Sequence, residues 1–108
     1  MSTVHVLSYF FGGAFATNAV PHLVAGLSGQ RFQSPFAQPP GRGLSSAVVN
    51  FVWGFVNLII AYVLLCRVGL FDVRAPEDIL PVLAGVALLG LPLAWHFGRL
   101  NGDAPAPR

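Results

Sequence analysis

The charged residues of this chain leave three long gaps, and those gaps decide what it can fold into. No Asp, Glu, Lys or Arg stands between Met1 and Arg31, between Arg42 and Arg67, or between Asp78 and Arg99. A helix needs about 20 apolar residues, each rising about 1.5 Å, to cross a bilayer. A charge at the bilayer centre costs roughly 2.5–3.5 kcal/mol on insertion scales. Each gap is long enough for one such helix, in a chain whose mean hydropathy is +0.68. The pattern predicts an all-α membrane protein with three transmembrane helices, over about 4–27, 44–65 and 76–97. They form one domain, a small left-handed bundle with a long Pro-rich loop between the first two helices and a disordered tail over 99–108.

Hydrophobic residues make up 55% of the chain and charged residues 9%, where a soluble domain carries about 25% charged residues. No stretch is left for a soluble domain, so any activity sits in the membrane or at its surface. The basic residues are all Arg and stand singly. Nucleic-acid binders cluster them, so the partner implied is the lipid bilayer and not nucleic acid. Cys66 is the only cysteine. It allows no internal disulfide or Cys-based metal motif, and reads as a small residue at a helix end. The N-terminal segment lacks the positive start of a secretory signal and reads as a retained helix.

Helix one should stop at Ser28-Gly29 and bend at Pro21, with the Thr17 hydroxyl reused locally. Ser45 or Ser46 should cap helix two. Pro76, Glu77 and Asp78 suit the first turn of helix three. The loop from Ser28 to Gly43 holds three prolines with Phe32 and Phe36. It should lie in the headgroup layer with both rings buried, a shallow re-entrant path being the alternative. Three spans put the termini on opposite sides. Arg31, Arg42, Arg99 and Arg108 against Arg67 and Arg74 favour loop one and the C-terminus in the cytoplasm, with the N-terminus outside.

Few polar residues lie within the spans: His5, Ser8, Thr17, Asn18, His22, Asn50, Asn57 and His96. No carboxylate joins them, which argues against a proton-coupled pump and against an acid–base hydrolase. Asn50, Gly54, Asn57 and Ala61 form one stripe on helix two. Ser8, Gly12, Phe15, Ala19, His22 and Gly26 form another on helix one. Both have the heptad-like spacing of packed membrane helices. Counting from the helix ends puts His22 and Asn50 at one depth, with Asn18 one turn below His22.

Two readings follow for this set. In one, Asn18, His22, Asn50 and Asn57 are hydrogen-bonded packing groups. In the other, helix one splays at Pro21 and opens a ligand or partner site. That site is centred on His22 and Asn50, with Asn18, Trp53 and His96 around it and Phe32 and Phe36 as a lid. His22 with His96 could then ligate a haem iron, and a quinone or lipid headgroup could also fit there.

The run Asn18-Ala-Val-Pro-His22, then Gly29-Gln-Arg-Phe-Gln-Ser-Pro-Phe36, then Ser45-Ser46 and Asn50-Phe-Val-Trp-Gly54 resembles small bacterial integral membrane proteins of unknown function. The resemblance covers the first two helices and implies a multi-pass protein of a bacterial inner membrane. The expected function is a non-enzymatic accessory or scaffold protein, packing as a homo-oligomer or against a larger membrane protein. The alternatives are a quinone-, lipid- or haem-binding protein and an oligomeric small-solute channel. No catalytic residue, resident cofactor or metal is assigned.

Overall fold

The computed structural model describes residues 2–102. Three helices fill most of it: α1 (Thr3–Leu27), α2 (Ala47–Cys66) and α3 (Pro76–Asn101). Two short strands, β1 (Phe32–Gln33) and β2 (Leu44–Ser45), pair antiparallel within the first loop. At about 1.5 Å per residue, the 20 residues of α2 reach about 30 Å and the 26 of α3 about 39 Å. Both are long and apolar enough to cross a membrane.

The helix ends have local causes. Ser2 caps α1, its side chain accepting from the His5 N–H at 3.2 Å. Ser46 caps α2 by accepting from Val49 N–H, also at 3.2 Å. Helix two therefore starts later than the expected Leu44, because Leu44 and Ser45 are extended and pair with Gln33 and Phe32. Pro76 opens α3, and Asp78 folds back to accept from the Asp72 N–H at 2.9 Å. Pro21, Pro81 and Pro92 lie inside unbroken helices. Thr17 Oγ1 donates to Gly13 O at 2.8 Å, one turn earlier, as a hydroxyl beside a helical proline can. α3 continues to Asn101, about one turn past its expected end. Of the tail expected to be disordered, residues 103–108 lie outside those described.

The packing is a layer and not a closed bundle. α1 lies in the middle and packs on both neighbours, while α2 and α3 make almost no contact with each other. On the α2 side, Ser8 Oγ donates to Leu64 O, and Gly26 packs on Phe51, where a Cβ would stand 2.6 Å from the Phe51 nitrogen. On the α3 side, Gly13 lies against the Val82 carbonyl and Gly85 against the Phe10 carbonyl. Backbones this close need residues without a Cβ. Asn50, Gly54, Asn57 and Ala61 are the buried residues of α2. α3 buries only Asp78 and Gly85. The central position explains the composition of α1. It carries many polar and small residues and has a partner on each side to meet them.

Candidate functional site

The site is built outward from Asn50, which is fully buried in the first turn of α2. Its side-chain nitrogen donates toward three carbonyls: Phe32 O at 3.0 Å, Ser46 O at 3.1 Å and Ser45 O at 3.2 Å. Three acceptors around one NH2 group settle which way the amide points. Its oxygen therefore faces His22, 2.7 Å from Nδ1. An amide oxygen only accepts, so His22 Nδ1 carries the hydrogen. In a neutral imidazole the other nitrogen, Nε2, is then an acceptor. No group among the described residues donates to it. Around the ring stand Phe32, Phe97 and Trp53, with centroids 5.6, 6.4 and 6.5 Å away.

One turn further along, Asn18 donates to Asn57 Oδ1 at 3.1 Å, and Asn57 donates to Trp53 O at 2.8 Å. Asn57 is fully buried. Both α1–α2 polar pairs thus join side chain to side chain and then side chain to backbone. Unpaired, these groups would each be costly in lipid.

The first loop folds over this end of the layer and is fixed to all three helices. Asn50 holds Phe32 O. Gln33 and Asn101 exchange two amide bonds, at 3.0 and 2.8 Å. His96 Nε2 donates to Gly41 O at 2.7 Å. Ser34 and Ser45 join hydroxyl to hydroxyl at 2.6 Å. Gly41 turns the chain with φ +75°, where a side chain would be strained. Phe36 meets Trp53 edge to face at 5.2 Å. Trp53 lies six residues into α2, about 9 Å from its start, so the loop folds back along the side of α2. Within the chain Phe32 is half-buried and Phe36 is 61% exposed.

α1 does not splay at Pro21. The contact of Gly26 with Phe51 holds its last turns against α2, and Asn50 is sealed and not part of any open surface. The opening lies elsewhere, under the loop. A crevice of about 190 Å3 is lined there by Asn18, His22, Gln33, Ser34, Trp53 and His96, with Phe97 and Leu93 beside them. It shares Asn18 and Trp53 with a groove of about 380 Å3 that runs over α1 between α2 and α3, past Phe11, Phe15, Asn57 and Leu89. No charged side chain among the described residues lines either space. The indole Nε1 of Trp53 is buried and, among the described residues, lacks a hydrogen-bond partner.

The seven residues expected to form a site thus gather at one end of the layer, in different roles. His22, Asn50 and Phe32 form one bonded chain. Asn18 pairs with Asn57, and Phe36 packs on Trp53. His96 reaches the crevice but spends Nε2 on the loop backbone, which removes the nitrogen a haem iron would most readily take. Among the described residues, no three His, Cys, Asp or Glu side chains cluster as a metal site would require. Gln33, Ser34 and Asn101 are essential to the arrangement and were not singled out by the sequence. Gln33 and Asn101 are 68 residues apart, and neither stands in a periodic stretch. The chain matches no protein-family model, no curated protein and no solved structure.

Proposed function

We propose that this chain is a small multi-pass membrane accessory protein whose three helices cross the bilayer side by side. In this reading its loop cap is the surface that holds a membrane partner, either a second copy or a larger protein. The crossing of α1 is supported by its place. It runs beside α2 from Ser8 at Leu64 to Gly26 at Phe51, and beside α3 at Gly13 and Gly85. A helix packed along two spanning neighbours spans with them. Its 25 residues hold no charge and reach about 37 Å.

The observation that carries the functional reading is the fixing of the loop. Polar bonds from α2 and α3 converge on one connector at one end of the layer, and His22 of α1 braces Asn50 beneath it. A simple connector needs no such anchoring, whereas a docking surface gains from being ordered before it binds. Phe36 stands out from that surface, exposed and flanked by Pro35, as an aromatic anchor does. The described acids, Asp72, Glu77 and Asp78, lie at the opposite end of the helices, away from His22 and His96. The Arg bias favours the capped face in the cytoplasm of a bacterial cell.

A photo-crosslinking residue at Phe36 tests the reading in cells. It should give one discrete polypeptide adduct, of twice the chain's mass for a second copy or larger for another protein. The same probe at Leu88, 66% exposed on α3, should give lipid adducts. Lipid adducts alone at Phe36 would rule out the docking role.

A further inference from the structure

We infer that the crevice under the loop, with the groove leading into it, is a binding site for an isoprenoid quinol: a neutral, hydroxylated ring carrying an apolar tail. The two spaces divide as such a molecule does. The crevice has hydrogen-bonding groups and aromatic walls, and the groove is apolar apart from two amides that already bond each other. They meet at Asn18 and Trp53, so one ligand can occupy both.

Charge narrows the ligand class. No Arg or Lys among the described residues lines the crevice, so none of them is a counter-ion for an anionic phospholipid head. No described Asp or Glu lines it either, so none of them serves a choline or amine head. Burying an unpaired charge there is costly. Trp53 and Phe97 stand edge to face against the His22 ring and give the crevice aromatic walls.

Hydrogen bonding then selects between the two oxidation states of such a ring. His22 Nε2 is an acceptor and stays one, because Asn50 holds the hydrogen on Nδ1 and three carbonyls hold Asn50. A ring hydroxyl donates to it. A quinone carbonyl only accepts, so it leaves His22 unpaired. The site therefore prefers the reduced ring. The preference is a matter of binding alone and involves no electron transfer.

The inference goes beyond the docking role and rests on the membrane-spanning reading only for the source of the ligand. The test is calorimetric titration of the full chain in lipid nanodiscs with a decyl-tailed benzoquinol, and with its quinone, against empty nanodiscs. One quinol per chain should bind saturably, about tenfold more tightly than the quinone, the size of effect expected from one avoided unpaired acceptor. His22→Phe keeps an aromatic ring and removes the acceptor. It should bind the two ligands with affinities within about twofold of each other, with the protein still eluting as one species on size exclusion. Equal affinity of the unchanged chain for the two oxidation states would overturn the inference. So would an unchanged quinol preference in His22→Phe, or equal binding of a ringless decyl alcohol. A correctly inserted, crosslinking-competent chain with no saturable quinol binding would overturn this site and leave the docking role standing.

Discussion

Gly54→Leu is expected to prevent the layer from forming, while Leu58→Ala leaves it intact. Gly54 faces α1 where the helices are closest, and a Cβ there would lie 2.9 Å from the Leu23 backbone nitrogen and 2.8 Å from Leu23 Cγ. A flexible side chain could yield, but a helix backbone yields only by moving α1 as a whole. Overpacking in a well-packed core costs about 1–3 kcal/mol, and a backbone collision belongs at or above the upper end. Moving α1 away from α2 also stretches the bonds of Asn18 to Asn57 and His22 to Asn50, on either side of Gly54. Leu58 is 47% exposed on the outer face, where Ala costs little in contact with lipid. Gly85→Leu should behave as Gly54→Leu does, because its Cβ would strike the Phe10 carbonyl and stand 3.0 Å from the Ala14 nitrogen. Fluorescence-detected size exclusion of the three variants in mild detergent would measure this. A monodisperse Gly54→Leu peak of unchanged melting temperature would mean that the close approach is not required.

Asn50→Leu should release the loop. The substitution removes the amide that serves His22, Phe32 O, Ser45 O and Ser46 O together. Each buried polar group left unpaired costs about 1–3 kcal/mol, so the loss should exceed about 3 kcal/mol in sum. His22→Leu removes one of these bonds and should cost less. Ser46 O still serves the helix through Asn50 N–H at 3.0 Å, so α2 itself should survive both changes. The readout is limited trypsin digestion, since Arg31 and Arg42 bracket most of the loop. Cleavage of a folded loop requires local opening. Cutting at these two sites should accelerate at least about tenfold in Asn50→Leu and by a smaller factor in His22→Leu. Equal rates in all three proteins would show that the amide does not hold the loop.

Much of the helix-to-helix contact is legible in the residue pattern. The spacing of Asn50, Gly54, Asn57 and Ala61 marks a face, and those four are what α2 buries. Small and polar residues are expelled from a lipid-facing surface, so their phase on the helix points to the neighbour. Counting residues from two helix ends places His22 level with Asn50, and the structure puts them 2.7 Å apart. The second face of α1 is harder to read. A stripe through Ser8, Gly12 and His22 accounts for the contact with α2, but Gly13, which meets α3, lies outside it. A central helix has two contact faces, and a single periodic stripe describes only one.

The loop was mostly illegible for a different reason. Its anchors join a side chain to a distant backbone carbonyl, as His96 does at Gly41, or two isolated amides, as in Gln33 and Asn101. Backbone acceptors leave no trace in residue type. The strand pair is two residues long on each side, too short for an alternating pattern to show. The three prolines rule out a helix without saying what replaces it, and the loop's course along α2 follows from tertiary contacts at Trp53 and Asn50.

The central claim is that α1 crosses the membrane between α2 and α3. Cysteine labelling with a membrane-impermeant maleimide tests it most directly. Cys66, exposed at the end of α2, reports one side in the native chain. Ser2→Cys, Arg42→Cys and Gly102→Cys, each in a Cys66→Ser background, report the ends of α1 and α3. Cys66 and Ser2→Cys should react in intact spheroplasts, and Arg42→Cys and Gly102→Cys only after the membrane is permeabilised. Reaction of Ser2→Cys on the same side as Arg42→Cys would mean that α1 does not cross, and would contradict the account.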